Sequence, residues 1–351
     1  MEFLVQLALL GASAICAVAP MLALLSVVWW LDRYTREPIW IYGLTFLWGG
    51  IGGVLIALVG NTAIDMLIGA VVGWVDALVP ADLDWIAAAA GPVIVAPLIE
   101  EPAKAVFLLF VLWNRHFDNM NDGFVYGAAA GLGFGMTENF LYFAQTSQDP
   151  GAWMQTVVIR TAYSAVMHAT SCSIVGAALA WGWFRGRIPF VLAGTAGLAI
   201  AMCVHALWNG ILTIGELQAR GDEALMLDLV VFPFEVLTVF ALFQLTLWDE
   251  SRTIRRELEE EVAGGRLPAG HPGLIASWWS RNFTSDWLSP TLDRAMYLET
   301  ATALAIRKSQ LRLMGVRATP FYRDEVDRLR GQLARVQAMG LGKPTVKLTS
   351  G

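Results

Sequence analysis

Long apolar runs alternate with short polar breaks along this chain, and the runs have the length of membrane spans. A spanning helix needs about 20 mostly apolar residues. On that measure residues 4–30, 39–59, 86–113, 123–145, 157–184, 188–214 and 225–247 each predict one. The stretch 61–80 is apolar but carries Asp65 and Asp76, so an interfacial or re-entrant segment is expected there. No basic residues precede the first run, and it is too long for the apolar part of a cleaved signal, so it reads as a retained span.

The breaks orient the runs. Arg33 and Arg36 follow the first run, Arg115 the third, Arg185 and Arg187 the fifth, and Arg252, Arg255 and Arg256 the last. The intervening breaks hold no Lys or Arg apart from Arg220. Basic loops stay on the cytoplasmic side, which predicts N-terminus out and C-terminus in. The expected fold class is all-α: a polytopic membrane helix bundle of about seven transmembrane helices, with a small helical cytoplasmic C-terminal region. The domains are residues 1–248, in the membrane, and 249–351.

Composition sharpens that division. The 351 residues are 56% hydrophobic and 15% charged, well below the charged share of about 25% in soluble domains. Residues 1–248 hold only 8 of the 24 Lys and Arg. A net charge of −6 without a basic stripe gives no reason to expect nucleic acid. Cys16, Cys172 and Cys203 lie in apolar runs with no metal or redox spacing and read as buried packing residues. In the tail, "DESRTIRRELEEEVAGG" should continue the last span as a charged helix, and 291–314 and 320–338 have helical periodicity. The Trp pair in "ASWWSRNF" suits either the membrane surface or the tail's own core, and His271 reads as a solvated loop residue.

Four runs contain groups that a lipid-facing helix would not carry. They are Glu100, Glu101 and Lys104 in the third; Glu138, Asn139 and Tyr142 in the fourth; His168 in the fifth; His205 and Asn209 in the sixth. Counted from the outer ends, Glu100 lies about 14 residues in, Glu138 about 7, His168 about 11 and His205 about 9, a spread of roughly 11 Å at 1.5 Å per residue. A charge at a helix centre costs about 2.5–3.5 kcal/mol on insertion scales, so these groups must face one another or a cavity. Pro92, Pro97 and Pro102 interrupt the third run, and "YGAAAGLGFG" gives the fourth a small-residue face for close approach.

Carboxylate and imidazole around a water suit general-base hydrolysis. Two His and one or two Glu equally suit a catalytic zinc, although there is no HExxH. A proton-coupled transporter, or a non-enzymatic binding or immunity protein, could be built from the same groups.

Taken in order, E-E-x-x-K (Glu100, Glu101, Lys104), F-x-x-x-E-N-x-x-Y (Phe134, Glu138, Asn139, Tyr142), His168 and H-x-x-x-N (His205, Asn209) resemble the PrsW family of intramembrane proteases, within the superfamily of CAAX prenyl endopeptidases and bacteriocin-processing proteins. The resemblance covers roughly residues 40–245. It implies a multi-pass protease of the bacterial cytoplasmic membrane, acting on membrane-anchored, single-span proteins such as anti-sigma factors, with or without a divalent metal such as zinc. On it, Glu100 or Glu101 is the general base and the other pairs with Lys104. Glu138 and His168 position water or bind metal, and His205 and Asn209 stabilise an oxyanion or complete the metal shell. Asn139 and Tyr142 support them. The metal candidates are Glu101, Glu138, His168 and His205, and Arg160 is expected to be an interfacial anchor. The prenyl-protease branch has a histidine where Glu138 stands, which favours the PrsW branch.

Overall fold

The computed structural model describes residues 2–78, 84–218, 221–284 and 286–341, which form helices and no strand. In chain order these are α1 (Glu2–Leu31), α2 (Ile39–Leu47), α3 (Val54–Leu78), α4 (Asp84–Ala90), α5 (Ala96–Val111), α6 (Met120–Thr146), α7 (Pro150–Ile159), α8 (Ala165–Trp183), α9 (Arg187–Leu217) and α10 (Gly221–Ala263). Then come α11 (His271–Ala276), α12 (Trp278–Phe283), α13 (Arg294–Met314) and α14 (Pro320–Leu341). π-helical turns join three pairs into longer rods: Trp48–Gly53 between α2 and α3, Gly91–Val95 between α4 and α5, and Arg160–Ser164 between α7 and α8.

Each predicted run falls in one rod. Five stretches are long and apolar enough to cross a membrane: Leu4–Leu31, Ile39–Leu78, Pro150–Trp183, Arg187–Gly215 and Leu229–Ala263. The remaining two rods, α4–α5 and α6, are the ones that carry Glu100, Glu101, Lys104 and Glu138. The expected interfacial stretch 61–80 instead continues the helix before it as far as Leu78, with no proline between Val54 and Leu78 to interrupt it; its last two residues, like Arg220, lie outside the described residues. The 40-residue run Ile39–Leu78 is about 60 Å long at 1.5 Å per residue, roughly twice a bilayer's hydrocarbon thickness.

Two compact units emerge. One runs to Leu31 and includes Glu37–Trp183 and Arg187–Gln244; the other takes Asp32–Arg36, Phe184–Gly186 and the chain from Leu245. The expected boundary at 248 thus falls within α10, which is continuous through it.

The first unit is held together by backbone contact. Gly123, Gly127 and Gly131 recur every fourth residue on α6. A Cβ at these positions would lie 2.2 Å from Gly176 O, 2.3 Å from Cys172 O and 2.1 Å from His168 O on α8. On the opposite face, a Cβ at Gly133 would meet Phe46 O at 1.9 Å. In lipid, where apolar burial drives little association, such small-residue faces let helices gain dispersion energy at short range. α6 is therefore locked between α8 and the rod of α2.

The second unit has its own apolar core, including Ile254, Leu258, Ile275, Leu304 and Leu333, with Tyr34 packed against it. Glu257 and Glu261 are buried and paired with Arg312 (2.8 Å) and Lys308 (2.7 Å) respectively. Trp278 is half-buried with Arg33 5.2 Å from its ring, whereas Trp279 is exposed. His271 is not a solvated loop residue: it opens α11 half-buried, 2.6 Å from Tyr297 Oη and edge-on to Trp287. Of the three free cysteines only Cys172 is buried. Cys203 is exposed, because one face of a spanning helix has no protein neighbour to pack against.

Candidate active site

The site begins with a defect in the α4–α5 rod. Pro97 and Pro102 lack N–H groups, and the turn Gly91–Val95 opens into a π register, with Ala96 N–H bonded to Gly91 O. π turns gather at functional sites because they break the side-chain register of the helix. Here α5 turns Glu100, Glu101 and Lys104 inward, at 5%, 0% and 0% exposure, into the centre of the first unit.

A chain of charge-assisted contacts crosses the helices. Lys104 Nζ donates to Glu101 Oε1 at 2.5 Å, and His205 Nδ1 donates to the same oxygen at 2.7 Å. Lys104 Nζ also lies 3.2 Å from His168 Nδ1, while His168 Nε2 donates to Glu138 Oε2 at 2.7 Å. Arg160 Nη2 reaches Glu138 Oε2 at 2.5 Å. Arg160 Nε donates to Asn139 Oδ1 at 3.1 Å, and the guanidinium sits 3.7 Å from the ring centre of Tyr142. The two imidazoles stand edge to face, 5.3 Å apart.

These bonds divide the three acids. Glu101 has Lys104 and Glu138 has Arg160, so each carries its charge beside a cation. Glu100 has neither: its Oε1 accepts from Asn61 Nδ2 at 3.0 Å, and its Oε2 is buried with no hydrogen-bond partner among the described residues. His205 Nε2 lies 3.8 Å from that oxygen. Because His205 Nδ1 is committed to Glu101, Nε2 is the ring nitrogen left to face Glu100 Oε2 across a gap.

Glu100, His168 and His205 each offer a ligand atom within 4.8 Å of the others. The set fits a divalent metal. Glu100 Oε2 and His205 Nε2 are ready donors, and Glu101 orients His205 as carboxylates orient metal-bound imidazoles. His168 joins when one of its two hydrogen bonds is exchanged. Of the four residues expected as ligands, His168 and His205 are in this set. Glu101 and Glu138 each turn an oxygen to a cation, and Glu100 is the acid grouped with the two histidines.

Asn209 is half-buried and donates from Nδ2 to Pro92 O at 2.8 Å. Asn139 likewise donates to Arg160 O, at 3.3 Å. Tyr142 is exposed on one side and supports Arg160 with its ring. Arg160, expected at the interface, belongs to the network; a charge inside an apolar run one span from Glu138 was the available signal. Asn61 was missed as well, and a lone amide in an apolar stretch gave no pattern to detect.

A sequence profile described as PrsW family intramembrane metalloprotease matches residues 37–242. Protease PrsW of Bacillus subtilis (strain 168) is 26% identical over 197 residues, covering 56% of this chain and 80% of that protein. Protease PrsW of Geobacillus kaustophilus (strain HTA426) is 28% identical over 205 residues, covering 57% and 79%. No solved structure matches.

Proposed function

The chain belongs to the PrsW family of intramembrane metalloproteases, and on that premise we propose that it cuts single-span, membrane-anchored proteins of the anti-sigma-factor kind, using Glu100 to activate water. The enzyme class follows from the family; the substrate, the mechanism and the residue roles are our reading. We place it in the bacterial cytoplasmic membrane, N-terminus out, with residues 249–351 forming a cytoplasmic region.

The observation that carries the mechanism is the 3.8 Å gap between Glu100 Oε2 and His205 Nε2. Peptide hydrolysis needs a base free to take a proton from water and return it to the leaving nitrogen. Glu100 is the acid of the three with no cation on it, and Asn61 fixes its other oxygen. As the water oxygen bonds to the scissile carbonyl carbon, its proton passes to Glu100, which then delivers it to the amide nitrogen as the C–N bond breaks. His205, held through Nδ1 by Glu101, keeps Nε2 turned to the reacting water. Glu138 fixes His168 from Nε2, and Arg160 holds Glu138. His168 and His205 would hold a divalent metal of the zinc type beside Glu100, whose Oε2 stays with the water; when bound, the metal supplies Lewis-acid polarisation of water and carbonyl.

The test compares membrane proteomes, with N-terminal peptide mapping, between cells carrying the wild type and Glu100→Gln. A single-span protein cut near its membrane boundary in the wild type alone supports the reading and names the substrate. Equal cutting in both strains would remove Glu100 from the mechanism.

A further inference from the structure

Pro97 leaves a carbonyl without its partner inside a buried helix, and a side chain from another helix fills the vacancy. In the turn Gly91–Val95 the backbone bonds run from residue i to i−5, as Ala96 N–H to Gly91 O shows. The next bond in that register would run from residue 97 to the Pro92 carbonyl, but proline has no N–H. Within a membrane domain such a carbonyl cannot turn to water and must be met by protein. Asn209 Nδ2 meets it at 2.8 Å.

Asn209 also follows His205 by four residues, so the two share a face of α9. That face is fastened to the α4–α5 rod twice: by His205 Nδ1 to Glu101 Oε1 at 2.7 Å and by Asn209 to the Pro92 carbonyl. The second contact fixes the register that gives the first its geometry. Asn139 also donates to a carbonyl in a π turn, that of Arg160, but Ala165 N–H already bonds that oxygen, so the substitution for a missing N–H is particular to Pro92 and Pro97.

We infer that Asn209 is a positioning residue: its amide replaces the N–H that Pro97 lacks, and so holds His205 against Glu100 and Glu101. It does not meet the reacting atoms. The inference rests on the hydrolytic reading of the Glu100–His205 pair.

Pro97→Ala restores a backbone N–H at the position where the carbonyl waits, and this gives the test. Full-length wild type, Asn209→Ala, Pro97→Ala and the double variant are compared in nanodiscs. One readout is the 15N spectrum of histidine-labelled protein, which has only four His to assign. The other is kcat and KM on whichever of a panel of single-span fluorescent reporters the wild type cuts. Asn209→Ala should shift the His205 Nδ1 signal and lower kcat by about 10–100-fold, the usual loss when an orienting partner is removed, with KM little changed. The double variant should recover both. Restored His205 signal with kcat still low would assign the amide to the reacting atoms and overturn the inference, as would an Asn209→Ala enzyme of full speed. Should Asn209→Ala not assemble, Asn209→Asp keeps the volume, cannot donate, and supports the same comparison. The His205 signal is read without substrate, so pinning that holds while no reporter is cut counts against the hydrolytic reading alone.

Discussion

Glu100 and Glu101 are neighbours in sequence and opposites in environment. Glu101 Oε1 takes both Lys104 and His205, while Glu100 Oε2 points at His205 Nε2 across 3.8 Å with no donor between them. Successive residues on a helix are turned about 100° from each other, so one carboxylate meets Lys104 and the other does not; in the mechanism proposed above the first serves the fold and the second the chemistry.

Substitution should separate those roles. Glu100→Gln should keep its Asn61 contact and the wild-type melting temperature while losing about 10²–10⁴-fold in kcat, the range for a general base. Glu101→Gln strands Lys104, fully buried, and should cost about 3–5 kcal/mol of stability. Thermal unfolding in detergent beside a cleavage assay checks both; equal melting temperatures for the two variants would contradict the division.

Arg160 and Glu138 should behave as a coupled pair. Arg160→Met leaves Glu138 with its imidazole partner but no guanidinium in a site where the two side chains are 13% and 20% exposed. Breaking a buried pair from one side costs about 3–5 kcal/mol, whereas removing both partners costs less. Arg160→Met/Glu138→Gln should therefore melt above Arg160→Met. Additive losses in a double-mutant cycle would place Arg160 outside the network.

Stripping metal with a chelator should abolish cleavage, and zinc should restore it. The metal content of purified protein should fall in His168→Ala and His205→Ala but persist in Glu100→Gln, which loses the base alone, and in Tyr142→Phe, whose ring only supports Arg160. Full activity in protein shown by elemental analysis to carry no metal would leave Glu100 to act alone.

Close packing of α6 on α8 should tolerate no added bulk at Gly131. A Cβ there lies 2.1 Å from the carbonyl oxygen of His168, a site ligand candidate. Gly131→Ala should cost about 1–3 kcal/mol, the usual penalty for overpacking, and slow cleavage by moving His168. Gly69→Ala, with open space at its Cβ, is the control; an equal effect at both sites would remove the steric explanation.

His271 gives the second unit a pH dependence. Burial pushes its pKa below the ordinary 6.5. As pH falls below 6.5 the unfolded chain takes up this proton and the folded one does not, so stability falls with pH through that window. His271→Gln should flatten the decline between about pH 6.5 and the lowered folded value. Proteolysis of the full chain in nanodiscs, followed by mass spectrometry of residues 249–341, reads it out; an unchanged slope would assign the dependence to other groups.

Sequence alone determined the helical rods, their order and the polar set. Apolar length and the cost of a charge in lipid are properties of each segment, visible without knowing its neighbours: Glu100, Glu138, His168 and His205 stood out because no lone spanning helix could carry them. The small-residue face of α6 was visible for the same reason, since glycine spacing is local. Tertiary structure alone decided which acid has no cation on it, that Arg160 turns inward to Glu138, that Asn61 holds Glu100, and that Asn209 donates to the Pro92 carbonyl. Each depends on a pairing between helices distant in the chain, and the last on a single N–H that proline lacks. Such pairings leave no period in the sequence, because the partners are set by how the helices cross.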